Sequence, residues 1–214
     1  ELKERGIPFE RLQDISDWLP EANSTLLVAP EALAGLPPEK LSTLAPKVGV
    51  GGRMIVLTQT ALPRFLRALL TQSREFNSHV ARMDFDSPLL KGLSTEDLRS
   101  WQTMEKDQLV SLNPLETPSL GNFRVHATTV KAAPILEVGE GDGRVLFVQM
   151  NVDGALGRDP AADRLLANLL QWTAEPSPFA RQHALILGRN AEFVRPLTSR
   201  LGVAGEVVKK PTPD

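Results

Sequence analysis

Carboxylates Glu31, Asp153 and Asp159 stand where strand-like runs end or helix-like runs begin. A pair of such groups brought together would suit glycoside hydrolysis, one as acid and one as base or nucleophile. The same positions are ordinary helix caps, and capping is the simpler reading. Thr58 and Thr60 offer hydroxyls in a turn, but a hydroxyl nucleophile needs a neighbouring base, and no motif supplies one. His79, His126 and His183 lack metal-ligand spacing and read as surface or half-buried histidines. Asp84-Phe85-Asp86 reads as a solvated turn. Trp18, Trp101 and Trp172 could stack on a sugar ring. Trp172 nevertheless ends a leucine-rich helix and reads as core, and Trp101 reads as a packing anchor. Trp18 has the best chance of exposure, with packing still favoured. The run Gly139-Glu140-Gly141-Asp142-Gly143 joins two strand-like segments instead of opening a helix, so it makes no phosphate loop.

The composition narrows the chemistry further. The 214 residues carry a net charge of -2, are 42% apolar and 23% charged, and suit one folded domain plus an appendage. No cysteine is present, which removes disulfides, thiolate metal sites and a cysteine nucleophile. The mixed signs of charge argue against a nucleic-acid surface or a polybasic membrane patch. No apolar run approaches the ~18 residues that span a bilayer. The sequence opens at Glu1 without an initiator Met or signal peptide, so we expect a piece of a longer protein. Its compartment stays open, a secreted or periplasmic parent being compatible.

The elements that must position these residues alternate between strands and helices. Glu1 to Arg5 reads as a helix end stopped by Gly6, and Phe9 to Leu12 as extended. Leu26-Leu27-Val28 reads as a buried strand. Pro37-Pro38 opens a helix whose stripe is Leu41, Leu44 and Val48, and Arg53 to Leu57 is the next strand. Leu62 to Leu70 has helical periodicity. Residues 76–123 read as an irregular insertion with a short helix near Thr95 to Arg99 and one or two strands. Ala133 to Val138 and Arg144 to Gln149 form a hairpin whose second arm should be central. Asp159-Pro160 caps a helix that turns Leu165, Leu166, Leu169 and Leu170 to the core. The expected fold is α/β: a doubly wound, mainly parallel sheet of flavodoxin-like plan, with an irregular insertion and an antiparallel hairpin.

Residues 1–175 would form this domain. Pro176 and Pro178 mark a linker into residues 176–214, where His183 to Leu187 is strand-like and Phe193 to Leu201 helix-like. The pattern helix end, Gly, β-branched residue and Glu occurs both at Arg5-Gly6-Ile7 to Glu10 and at Leu201-Gly202-Val203 to Glu206. Two readings stand: the tail starts a second β-α-β unit, or it completes the same sheet.

Thr25 to Glu31 and Val50 to Leu57 resemble the class I glutamine amidotransferase-like fold, in the variant carried by large β-galactosidase-type glycoside hydrolases. Asp86-Ser87-Pro88-Leu89-Leu90-Lys91-Gly92-Leu93 with Asp97-Leu98-Arg99-Ser100-Trp101 is similar to a stretch of those domains. Gly143 to Gln149, with Asp159 to Ala162 and Asn168 to Leu170, resembles their last strand and helix. The resemblance spans about residues 2 to 173 and implies a catalytic cysteine in the turn after Met54 to Leu57, where Thr58-Gln59-Thr60 stands instead. It implies a histidine and a glutamate after the late strand, where Gln149-Met150-Asn151 stands. Both departures argue against thiol chemistry.

The resulting expectation is a noncatalytic domain of a larger carbohydrate-active protein that packs beside a catalytic barrel, mediates oligomerisation or shapes the substrate cleft. No residue is assigned to catalysis or to a metal, and no cofactor is expected. Glu31, Gln59, Thr60, Gln149, Asn151 and Asp153 surround the strand ends where a ligand would sit. Expected partners are the other domains of the parent chain, with a second copy or a carbohydrate admitted, and neither nucleic acid nor membrane. The alternatives are an independent hydrolase using strand-end carboxylates and a small-sugar-binding module.

Overall fold

A computed structural model describes residues 2–3, 6–21, 24–66, 70–73, 80–98, 103–105, 108–110, 114–116, 122–175, 183–187 and 204–208. Its strands are β1 (Thr25–Val28), β2 (Arg53–Leu57), β3 (Arg82–Met83), β4 (Thr103–Glu105), β5 (Gln108–Val110), β6 (Leu115–Glu116), β7 (Phe123–Thr128), β8 (Ala132–Ala133), β9 (Ile135–Glu140), β10 (Gly143–Val148), β11 (His183–Leu187) and β12 (Ala204–Val208). The helices are α1 (Pro38–Ser42), α2 (Leu44–Gly49), α3 (Val152–Ala155) and α4 (Pro160–Trp172). Short 3-10 turns cover Ile15–Asp17 and Pro88–Leu90.

Six strands form the main sheet in the order β1-β2-β10-β9-β7-β3. β1, β2 and β10 are parallel, while β10-β9, β9-β7 and β7-β3 pair antiparallel. The fold class is therefore mixed α/β, with a half-parallel sheet where a mainly parallel one was expected. The expected hairpin accounts for part of this: β9 turns directly into β10 at Gly141, whose φ is +60°. The rest comes from β7, a strand not expected between the insertion at residues 76–123 and the hairpin. Every residue of β10 is buried, as its central place requires.

Alternation along β2 and β10 divides the core in two. Ile55, Leu146 and Val148 face Leu165, Leu169 and Trp172 of α4. Met54, Val56, Val145 and Phe147 face Leu41, Leu44 and Val48 of α1 and α2 on the other side. The expected helix after Pro37 is broken at Thr43, because Pro46 has no N–H to donate to the carbonyl of Ser42. Side chains take over there: the Ser42 hydroxyl donates to Glu39 O and the Thr43 hydroxyl to Lys40 O, both at 2.7 Å.

Two expected helices are absent from the described residues. Residues 62–66 are irregular, with Phe65 and Leu66 buried. Pro63 biases Leu62 away from helical geometry and removes a donor. Residues 95–98 form a turn closed by Ser94 and Asp97, with the Ser94 amide donating to Asp97 Oδ2 at 2.7 Å and the Asp97 amide to Ser94 Oγ at 3.3 Å. α4 starts as expected: Asp159 Oδ1 accepts the Ala161 amide at 2.9 Å and Pro160 opens the first turn. Leu165, Leu166 and Leu169 are buried and Leu170 is half-buried. In the tail, β11 and β12 pair in parallel as a separate two-stranded sheet. The helix expected at 193–201 lies outside the described residues, as do His79 and Trp101.

Candidate functional site

β1, β2 and β10 are parallel, so the segments following them leave the sheet at the same edge. This brings together most of the residues expected around the strand ends. Glu31 follows β1 with φ +58°, left-handed geometry that costs a non-glycine residue energy. Its carboxylate accepts from the Thr60 amide at 2.8 Å and the Thr60 hydroxyl at 2.7 Å, and its own amide donates to Thr58 O at 3.0 Å. These bonds hold the strained residue in place. The Thr58 hydroxyl donates to Met150 O at 2.7 Å, so both candidate hydroxyls are engaged within the protein.

Gln59 lies at the centre and is fully buried. Its Nε2 donates to Ala29 O (2.9 Å) and Leu57 O (2.8 Å), and its Oε1 accepts from the Leu33 amide (3.0 Å). Its backbone amide donates to Oε1 of Gln149 at 3.0 Å. Gln149 thereby ties the end of β10 to the turn after β2, while its buried Nε2 has no hydrogen-bond partner among the described residues. Asn151 caps α3, its Oδ1 accepting the Gly154 amide at 3.2 Å. Asp153 points to solvent in the first turn of α3. Glu31, Gln59, Thr60 and Gln149 thus form one network, Asn151 serves a cap, and Asp153 stands apart from both.

A second polar cluster lies within the sheet and was not foreseen. His126 on β7 is buried, correcting its reading as a surface or half-buried residue. Its Nε2 lies 3.0 Å from Glu137 Oε2 on β9, and its Nδ1 lies 2.7 Å from the Ser87 hydroxyl. A carboxylate only accepts, so Nε2 carries the proton toward Glu137, while Nδ1 on the other side of the ring meets the Ser87 hydroxyl. Glu137 Oε1 also accepts from Arg144 Nη1 at 3.0 Å and Trp172 Nε1 at 3.1 Å. Arg144 Nη2 donates to Trp172 O and Glu175 O, both at 2.6 Å, and its guanidinium lies 4.0 Å from the centre of the Trp172 ring. Burial pushes the Glu137 carboxyl up, but His126, Arg144 and Trp172 together outweigh it and hold it below the usual glutamate range.

The connectivity hydroxyl–imidazole–carboxylate matches that of a nucleophilic relay. Its position does not, because Ser87, His126 and Glu137 are each no more than 2% exposed. A carbonyl carbon has no approach to the Ser87 oxygen, and the cluster joins β7, β9, β10 and α4 as a buried hydrogen-bonded network. The sequence did carry one signal of it. Glu137 interrupts the apolar run Ile135-Leu136-Glu137-Val138, and Arg144 stands in the facing strand.

Trp172 is core, as expected, and Trp18 is buried, not a sugar platform. Trp18 packs against Gly52, where an added Cβ would meet its ring at 2.7 Å. Asp84 closes a turn and pairs with Arg124 at 2.8 Å. A surface depression of about 470 Å³ along α4 is lined by Lys91, Asp163, Arg164, Asn168 and Gln171. Asn168 is already committed there, donating to Leu89 O and Lys91 O. Among the described residues no cluster of His, Asp and Glu could hold a metal ion, and no helix is long and apolar enough to cross a membrane.

No protein-family profile matches the sequence, and no curated protein matches it. Among solved structures, the chain is similar to a cytoplasmic protein from Salmonella typhimurium at 10% identity and a TM-score of 0.50. The match covers 74% of this chain and 77% of that one. At that identity the likeness concerns the fold alone, and it agrees with the mixed α/β architecture.

Proposed function

We propose that the chain is a noncatalytic, class I glutamine amidotransferase-like domain of a larger carbohydrate-active protein, with a doubly wound, flavodoxin-like plan. Its work is structural: it packs beside the catalytic domain of its parent, mediates oligomerisation or shapes the substrate cleft. The observation that carries this reading is the state of the strand-end turn. Thr58, Gln59, Thr60, Glu31 and Gln149 all direct polar atoms at one another or at neighbouring backbone. A nucleophile is useful only when its hydroxyl is poised beside a base and open to substrate. The Thr58 hydroxyl is spent on the Met150 carbonyl and has no base beside it, while the exposed Thr60 hydroxyl, beside the Glu31 carboxylate, is bonded into the turn that links the three parallel strand ends, as suits a rigid packing module.

The test is turnover by the purified chain. Chromogenic galactosides and glutamine should both remain unhydrolysed at high protein concentration. Measurable turnover that copurifies with the chain would overturn the reading.

A further inference from the structure

The edge of the sheet at β1 is incompletely covered. β1 reads Thr25-Leu26-Leu27-Val28, four residues without charge or proline, and among the described residues no strand pairs with its outer side. The opposite edge is blunted: β3 is two residues long, contains Arg82 and is followed by Asp84. Proteins rarely leave a long apolar edge open, since it templates pairing with another chain. One face of β1 is partly open among the described residues as well. Leu27 pairs with Ile55, which faces α4 and is 3% exposed, whereas Leu27 itself is 38% exposed. α4 covers β2 and stops short of β1, although parallel strands are normally covered on both faces.

The tail holds a unit with the complementary need. β11 and β12 pair in parallel with each other and with no other strand among the described residues. Parallel sheets are built as parts of larger covered sheets, and a pair of short strands is too small to stand alone. β11 reads His183-Ala184-Leu185-Ile186-Leu187, an apolar run suited to a buried place.

We propose that β11 adds in parallel to the outer edge of β1 in the same chain, extending the sheet to β12-β11-β1-β2-β10-β9-β7-β3. Three constraints select this slot. The first is direction: Arg53 Nη1, at the start of β2, donates to Thr173 O just after α4, so α4 ends beside the N-terminal ends of the parallel strands. A strand entering from there runs parallel to β1. The second is reach: the slot lies about two strand spacings, roughly 10 Å, from β2. Residues 176–182 can span about 23 Å at about 3.3 Å each. The third is handedness. The step from β1 to β2 crosses over α1 and α2 on one face, and the return step from β10 crosses over α4 on the opposite face. Reversing both direction and face preserves the hand of the crossover, so both connections obey the strong right-handed preference together. Placing β11 beyond β3 would break that preference. The effective concentration supplied by so short a tether favours the same chain over a second copy.

Amide hydrogen exchange on the full chain tests this, alongside Leu185→Pro and Ile186→Pro, which remove β11 donors. The expected result is protection of all the β1 amides, independent of protein concentration, with at least tenfold faster exchange of the outward-facing ones in either variant and unchanged β2 and β10. Outward-facing β1 amides that exchange at unprotected rates in the unaltered chain would overturn the proposal, as would protection that survives both prolines. Protection that rises with protein concentration would also overturn it, by assigning the edge to a second copy.

Discussion

Glu137 and Arg144 sit diagonally across the β9–β10 hairpin, with Arg144 Nη1 3.0 Å from Glu137 Oε1 and both side chains 2% exposed. Both partners are held by further bonds: Glu137 also accepts from Trp172 and His126, and Arg144 Nη2 reaches two carbonyls at the end of α4. It therefore joins the antiparallel half of the sheet to the helix that covers the parallel half. Removing one partner strands the other in a place without water.

Glu137→Ala should destabilise the chain by about 3–5 kcal/mol, since it leaves a buried guanidinium unpaired. Asp84→Ala breaks the Arg124 pair, whose side chains are about a third exposed, and should cost less than about 1 kcal/mol. Urea unfolding of both variants checks the contrast. Equal costs would mean the buried pair has no special weight.

The same carboxylate sets the acid limit of stability. Its folded pKa is lowered, so its contribution is complete above the unfolded value of about 4.3 and disappears as pH falls through the lower folded value. Asp14, held at about 2 by its hydrogen bond to Lys40, adds in the same direction, being lost between about 4 and 2. Thermal melts should show a falling midpoint below about pH 4.3, and Glu137→Gln should flatten part of that fall.

Gly143 starts β10 where the hairpin packs on the turn after α2. A Cβ there would overlap the carbonyl oxygens of Val48 and Gly52 and lie 2.9 Å from the Gly52 nitrogen. Those are backbone atoms that cannot swing aside, so Gly143→Ala should cost at least about 1–3 kcal/mol. Gly49 has a non-positive φ and nothing within 4 Å of an added Cβ. Gly49→Ala should be neutral or gain up to about 1 kcal/mol. Denaturant midpoints of the two variants should move apart accordingly.

Gln59→Ala would free the Leu33 amide and the Ala29 and Leu57 carbonyls inside the protein. Each buried group left unpaired costs about 1–3 kcal/mol, so this variant should be among the most damaging at the strand ends. Thr60→Ala removes a bond at an exposed residue and should cost about 1 kcal/mol or less. Comparing their unfolding free energies tests whether the turn is a structural latch.

Much of the framework was legible in local signals. Asp159-Pro160 announced α4, Gly141 lay in the right turn, and Leu26-Leu27-Val28 and Arg53 to Leu57 became adjacent parallel strands. β7 was missed although Phe123, Val125 and Ala127 alternate with Arg124, His126 and Thr128, because the alternation leaves no continuous apolar run like those of β2 and β10. The strand-end residues were found from the general location of sites in open sheets, but their mutual bonds depend on backbone placement. The Ser87–His126–Glu137 chain joins residues 39 and 11 positions apart, and no local pattern fixes such contacts.

The most direct measurement of the central claim is steady-state turnover of chromogenic galactosides and glutamine by the purified chain, alongside Ser87→Ala, Thr58→Ala and Glu31→Gln. The expected result is no hydrolysis above buffer in any of the four proteins, with the substitutions altering only stability. Hydrolysis that follows the chain through gel filtration and is lost in one of the variants would contradict the noncatalytic reading.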